Sequence, residues 1–323
     1  MVGETAFWGD RSVFVTGVGG YLGRALVAEL ARRGACVIGF DRVDPRPADG
    51  LRALVLGDLR DPGRVREALQ RHAVRTCFHL AGQAGVAGAQ ADPVQAFEAN
   101  CQATWCVLEA CRLYGELSEA VVASSNHVYG GQTVAPSQED AALNGLGIYA
   151  ASKACADIVA RSYARTYGLP IGIARITNTF GGRDHHKDHL VTGTILAILR
   201  GDAPVIRSSG RSVKGYMYVR DTVEAFLVLA ESVRTLGLAG EAFNFAPDEP
   251  VSVRDMVTAI LRVAGHDDLQ PVILGQDETP WEYEHLSNAK ARRVLGWRPR
   301  FTLEAGIAEA IRDLSESLAG ERV

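Results

Sequence analysis

Over residues 1–175, short apolar runs without polar alternation take turns with amphipathic stretches. The runs at 12–16 (SVFVT), 36–40 (CVIGF), 53–56, 76–80, 120–123 and 171–174 predict strands buried on both faces. The stretches at 21–33, 62–71, 93–114 and 148–167 predict helices. Two of these open on a proline, Pro62 and Pro93, which has no N–H to leave unpaired in a first turn. Strand and helix alternating in this way predict an α/β chain, a doubly wound parallel sheet with helices on both faces. Beyond Arg175 the pattern loosens. Helices are expected at 191–200, 221–232, 253–264 and 303–317, interleaved with short strands such as 216–219 and 242–245. Residues 177–190 are polar and rich in glycine and histidine, which suits a substrate-facing loop. The expected organisation is a sheet domain over 1–175 and a smaller C-terminal α/β lobe mainly over 176–323. Later segments are expected to return to the first domain, without a sharp boundary.

The turn after the first run is Thr16-Gly17-Val18-Gly19-Gly20-Tyr21-Leu22-Gly23. Gly17 permits a tight turn, Gly20 lets the backbone approach a pyrophosphate, and Gly23 lets helix and sheet pack closely. The N–H groups of the following helix, from Tyr21 and Leu22 on, face the phosphates. In its strand–turn–helix context this is a Rossmann dinucleotide site. Asp41 ends the second strand, 18 positions beyond Gly23. A carboxylate there accepts both ribose hydroxyls and repels a 2′-phosphate, which favours NAD; Arg42 beside it leaves NADP open. Asp58 and Leu59 follow the third strand, on the adenine side.

Tyr149 and Lys153 are one helical turn apart at the start of the 148–167 helix, so their side chains share a face. Free tyrosine, with a pKa near 10, is too weak an acid to serve as a base at neutral pH. A neighbouring ammonium and a nicotinamide's positive charge would stabilise the phenolate. Lys153 also suits the nicotinamide ribose. Ser125 ends a strand 24 residues earlier and can donate to the same substrate hydroxyl.

Taken together, TGVGGYLG, HLAGQAGV (from His79), SSNHVYG (from Ser124), YAASK (from Tyr149), RITNTFGG (from Arg175), GYMYVRD (from Gly215) and LGWRPRF (from Leu295) run over nearly the whole chain. In that order they resemble the extended short-chain dehydrogenase/reductase family, the nucleotide-sugar epimerases and dehydratases. The branch most resembled is CDP-glucose 4,6-dehydratase-like, through residues 151–169, GTILAILRGDAPVIRSSG (from Gly193) and EAFNFAPDEPVSV (from Glu241). The resemblance implies tightly bound NAD, with Leu80 and Ala81 joining the cofactor residues. It implies a C-terminal lobe for a nucleotide-diphosphate sugar, with Asn178, Val191, Arg207 and Lys214 as substrate contacts. It also implies oxidation at sugar C4 with hydride return, and a homodimer through a four-helix bundle built from the 93–114 and 148–167 helices.

The chain departs from that pattern after Ser125. Where 4,6-dehydratases carry an acid and a base, Asn126 and His127 stand. Asparagine is no proton donor, whereas His127 titrates near neutrality. A Ser-Asn-His run also resembles sugar and uronate dehydrogenases, so a net dehydrogenase forming NADH is the alternative, and a non-catalytic NAD-binding protein a third. Lys214 replaces the family's usual arginine, turning a bidentate phosphate contact into a point charge. A second arginine of the pattern gives way to acidic or aromatic residues around 281–284, and Arg207 and Arg211 stand as compensating cations. The run from Asp184 to His189 reads as a polar lid rather than a metal site, because Lys187 interrupts it and the reaction needs no metal.

Composition excludes several other classes. The 323 residues are ample for a core, and 47% hydrophobic with 22% charged residues is ordinary for a globular protein. A net charge of −4 gives no reason to expect nucleic acid or an anionic membrane as partner. No apolar run approaches the roughly 20 residues that span a bilayer. Residues 1–10 lack a basic region followed by an apolar stretch, so no secretory leader is expected. The six cysteines show neither CxxC spacing nor a disulfide framework and read as reduced, mostly buried thiols of a cytoplasmic protein.

Overall fold

The computed structural model describes residues 7–45, 49–131, 136–182, 184, 186–276 and 283–320. Residues 1–6, His185, Trp281 and Glu282, which figure in the sequence analysis, lie outside them. The predicted strands form as β1 (Ser12–Thr16), β2 (Cys36–Asp41), β3 (Leu51–Leu56), β4 (Thr76–His79), β5 (Glu119–Ser125) and β6 (Ile171–Ile176), with Ala242–Phe245 as a seventh. They make one sheet in the order Ala242–Phe245, β6, β5, β4, β1, β2, β3. The pairings of β1 with β2 and β4, of β2 with β3 and of β4 with β5 are all parallel. The order reverses direction between β1 and β4. At such a switch point the loops leaving neighbouring strands diverge and open a crevice for a ligand.

The chain folds into two compact units. The first comprises Met1–Gly130, Glu139–Arg175 and Val223–Phe243; the second comprises Gly131–Gln138, Ile176–Thr222 and Asn244–Val323.

In the first unit, Phe14, Ile38, Phe40, Val107, Ile171 and Ile173 share one buried core with Val65 and Leu69 of the Pro62–Arg71 helix. That helix is capped as its sequence suggests: Pro62 sits in its first turn and Asp61 accepts the Arg64 N–H at 3.1 Å, a contact worth about 1 kcal/mol. Asp92 does the same for the helix opened by Pro93, accepting from the Gln95 N–H at 2.9 Å. The single helix predicted over 93–114 is interrupted. Pro93–Phe97 and Ala103–Tyr114 are α-helical, but Glu98–Gln102 between them is a π-turn. The polar Asn100 lies within that turn and is buried. The Ile148–Tyr167 helix has its predicted bounds and stops at Gly168, whose φ is +68°.

The second unit holds the Leu190–Arg200, Val253–Val263 and Leu303–Gly320 helices and several two- or three-residue strands. Phe245 meets Trp297 edge-on at 5.0 Å. Asp221 accepts the backbone N–H groups of Arg300 and Phe301 at 2.8 and 3.2 Å, which fixes the segment before the last helix. Val219, predicted as the end of a strand, instead begins the Val219–Thr235 helix. Among the described residues no helix is long and apolar enough to cross a membrane.

Candidate active site

Gly17 has φ +74° and lies so near the loop after β4 that a Cβ would stand 2.8 Å from the Ala81 Cα. A Cβ on Gly23 would stand 2.1 Å from the Gly17 carbonyl oxygen. The turn is therefore pressed against the helix on one side and the β4 loop on the other. Gly23→Ala must displace the Gly17–Val18 backbone. It is expected to lower stability by about 1–3 kcal/mol and to strip bound dinucleotide, as read by thermal unfolding and by the nucleotide released on denaturation.

Asp41 closes this turn. Its carboxylate accepts the Gly19 N–H at 2.8 Å and the Arg42 N–H at 2.7 Å. Along the crevice the first unit has a cavity of about 410 Å³ lined by Gly17, Gly20, Asp41, Arg42, Asp58, Leu59, Leu80 and Ala81, among others. Eight residues placed on the dinucleotide by sequence thus surround one space. Arg60 and Glu98, which sequence reading missed, also line it. Arg60 grips the Asp58 carboxylate at 2.7 Å and also pairs with Glu98, and its hydrogen bond holds the Asp58 carboxyl below its usual range.

The floor of the crevice is a chain of buried hydrogen bonds. Because β1 and β4 are in register at Thr16 and His79, Thr16 Oγ1 meets His79 Nδ1 at 2.9 Å. Thr16 Oγ1 also accepts the Leu80 and Ala81 N–H groups, both at 3.2 Å, and His79 Nε2 meets Thr104 Oγ1 at 3.0 Å. Burial, aided by the Lys153 charge, pushes the His79 imidazole down to about 3, so it stays neutral and serves as structure.

Ser125, Tyr149 and Lys153 come together in the same unit. The Ser125 side chain, at the end of β5, caps the short 3₁₀ turn Asn126–Tyr129 by accepting the His127 N–H at 3.2 Å, and it donates to Asn126 Oδ1 at 3.3 Å. The Ser125 hydroxyl stands near enough to the Tyr149 phenol to favour its ionised form. The His127 ring stands edge-on to Tyr149 at 5.4 Å. Lys153 Nζ donates to the Ala123 carbonyl at 3.1 Å. Burial raises Tyr149 above its ordinary value, and the Ser125 hydroxyl only partly offsets it. The side chains alone therefore align the phenol without acidifying it.

Two further features escaped the sequence reading. Asn100, on the π-turn, accepts the Gln83 N–H at 2.9 Å and donates to Ser152 Oγ at 2.9 Å, tying the β4 loop to the Ile148–Tyr167 helix. A lone Asn in the apolar stretch ANCQATW was the only available signal. Behind Lys153, Asp157 accepts two hydrogen bonds from Arg175, both at 2.9 Å, and one from Ser124 at 2.8 Å, all fully or nearly fully buried.

Burial pulls Lys153 down to about 8, with Asp157 working the other way. A lysine depressed in the folded state costs stability wherever it would be charged when unfolded. That cost is complete below pH 8 and fades as pH rises from 8 toward the ordinary 10.5. Lys153→Met should therefore gain melting temperature relative to wild type at pH 7, and the gain should shrink steadily by pH 10. A pH-independent difference would contradict this.

The substrate residues named from sequence lie in the second unit. Asn178 donates to the Gly215 carbonyl at 3.2 Å, Val191 is buried, and Arg207 pairs with Asp188 at the surface. Lys214 is tied at 3.0 Å to Glu284, itself buried, so the lysine's charge is already matched. Arg211 lines a separate cavity of about 660 Å³ with Arg254, Ser209 and Ser252.

A parallel sheet with this strand order, a glycine turn at its switch point and a Ser–Tyr–Lys group define a dinucleotide-dependent oxidoreductase of the Tyr-x-x-x-Lys kind. Residues 13–246 match the NAD dependent epimerase/dehydratase family, and the chain belongs to that family. It is 30% identical to a UDP-glucose 4-epimerase of Mycolicibacterium smegmatis, an alignment covering 92% of this chain and 96% of that protein. It is 27% identical to a CDP-glucose 4,6-dehydratase of Salmonella typhimurium, covering 98% and 93%. Among solved structures it resembles a dTDP-glucose 4,6-dehydratase from Streptomyces venezuelae with NAD bound. That likeness has a TM-score of 0.85 and 26% identity, and covers 96% of this chain and 98% of the other. The cofactor is NAD, and the close glycine turn and the cavity beside it suit its pyrophosphate and ribose.

Proposed function

We propose that this enzyme oxidises the C4 hydroxyl of a nucleotide-diphosphate sugar and then reduces the resulting ketone, as an epimerase or dehydratase with no net consumption of cofactor. The observation that carries this reading is the grouping of Ser125, at the end of β5, with Tyr149 and with Lys153 one turn further along the same helix, Lys153 Nζ reaching the Ala123 carbonyl of β5 at 3.1 Å. Bound NAD supplies the hydride acceptor and, reduced, the donor. Tyr149 takes the proton of the sugar hydroxyl, and Ser125 donates to that oxygen and holds it in line. Lys153, held charged below about pH 8, binds the nicotinamide ribose and favours the phenolate. Asp41 receives the adenosine ribose. His127, against the Tyr149 ring, is placed to move a second proton if the reaction includes elimination; Asn126 cannot.

The test is a panel of UDP-, CDP-, GDP- and dTDP-sugars screened by thermal shift, followed by mass spectrometry of the product of the best binder. Loss of one water identifies a dehydratase, and unchanged mass with a new retention time an epimerase. Failure to bind or convert any of them removes the proposal. The Lys214–Glu284 ion pair, which neutralises a cation suited to phosphate, favours one second reading: a net dehydrogenase of an unactivated sugar acid. Stoichiometric NADH from a free uronate would select it.

The proposal extends to a cytoplasmic homodimer. Val94, Trp105, Leu113, Ile158 and Tyr167 are apolar side chains exposed on the Pro93–Tyr114 and Ile148–Tyr167 segments, and Trp105 is 42% exposed. Such surface suits a helical bundle between two copies. Trp105→Glu is expected to shift the protein from dimer to monomer by light scattering; a dimeric variant would refute the bundle.

A further inference from the structure

We propose that Asp184, His186 and His189 form a binding site for one transition-metal ion of the Zn(II) class. In sequence these residues belong to a polar run interrupted by Lys187. In the second unit they converge: one donor atom from each lies within 4.8 Å of the others. His186 Nδ1 is 2.8 Å from Asp184 Oδ1, and His189 Nδ1 is 2.7 Å from Asp184 Oδ2. The two imidazoles lie side by side, centroids 4.8 Å apart and planes 24° off parallel. Both rings thus aim the same nitrogen at one carboxylate. Lys187 is exposed and does not enter the cluster.

Two imidazole nitrogens and a carboxylate oxygen are a donor set that Zn(II) accepts, with Zn–N and Zn–O of about 2.0–2.2 Å and a fourth position left for water. Tetrahedral bonds of that length put donor atoms roughly 3.4 Å apart. The present hydrogen bonds would open by about 0.6–0.7 Å, with both Nδ1 atoms deprotonated in place. Asp184 is prepared for this. It is buried, and it already accepts the Thr192 hydroxyl at 3.1 Å and the His186 N–H at 3.1 Å, outer contacts that orient a ligating carboxylate. The N-terminus of the Leu190–Arg200 helix opposes a cation here. The Asp184 charge offsets it. Occupied, the site would tie Asp184 and His186 to His189 at the start of that helix.

The full chain, stripped with a chelator and dialysed, is titrated with zinc sulfate against a chromophoric zinc chelator. Co(II) is titrated in parallel, so that its visible d–d absorption reports coordination geometry. One equivalent of tightly held zinc and a four-coordinate cobalt spectrum are expected. His186→Gln, which alters an exposed ring and leaves packing intact, should weaken zinc at least roughly tenfold and abolish the cobalt band. Asp184→Asn should do the same, and His266→Gln, outside the cluster, should titrate as wild type. No zinc bound by wild type, or equal affinity in wild type and His186→Gln, would leave only a hydrogen-bonded loop and overturn the proposal.

Discussion

Tyr149→Phe is expected to lower kcat by roughly 10²–10⁴-fold, the range over which a positioned acid–base group acts, while NAD stays bound. The substitution removes one oxygen and keeps the ring, whose edge-on contact with His127 at 5.4 Å holds that part of the site together. Melting temperature should therefore be unchanged. Ser125 still caps the Asn126–Tyr129 turn through the His127 N–H. The loss should fall on kcat far more than on KM, because the phenol acts on the proton in flight rather than on the bound nucleotide. Single-turnover kinetics on the sugar identified by the panel, with NAD content measured alongside, give the answer. A variant turning over within a few-fold of its parent would remove Tyr149 from the chemistry.

Arg175→Met should have the largest effect on stability, about 3–5 kcal/mol by urea unfolding. Neither side chain of the Arg175–Asp157 pair has measurable exposure. Arg175 also donates to the Tyr129 hydroxyl at 2.7 Å and the Glu139 carbonyl at 3.1 Å. Removing the guanidinium leaves the Asp157 carboxylate buried with Ser124 as its one donor among the described residues, and the uncompensated charge carries most of the cost. The double variant Arg175→Met/Asp157→Leu should recover most of the lost stability, since replacing both ions by apolar groups leaves no charge stranded. It should not recover activity at pH 7. Asp157 supports the charge on Lys153, which burial alone depresses, so without it Lys153 deprotonates at lower pH. An active, stable double variant would show that the pair is structural only.

The main sheet was legible because its determinants are local. Apolar runs, the proline-led helices with their aspartate caps, the bounds of the Ile148–Tyr167 helix and the glycine turn all follow from propensity and periodicity over a few residues. Several residues lining the cavity beside the glycine turn were legible for the same reason: Gly17, Asp41 and Asp58 stand at or just past the end of a strand, and a parallel sheet gathers strand ends at one rim. The role of Asn100 was not legible, because its partners Gln83 and Ser152 lie 17 and 52 residues away along the chain and meet it only in the fold. Nor was the Asp157–Arg175 pair, whose members are 18 residues apart and meet only when a helix packs on a strand.

The second unit shows the other side of this division. Sequence marked Lys214 as a cation for substrate, yet 70 residues further on Glu284 folds back to take that charge. It marked 184–189 as a polar loop, and the fold turns two rings of that loop toward one carboxylate. The sequence by itself determined which residue types could do chemistry and the order of strands and helices that carries them, since those depend on neighbours along the chain. Only the tertiary structure decided which charges are matched, which hydroxyls are paired and which imidazoles converge. Coulombic and hydrogen-bond energies depend on distances through space, and those are set once distant segments pack.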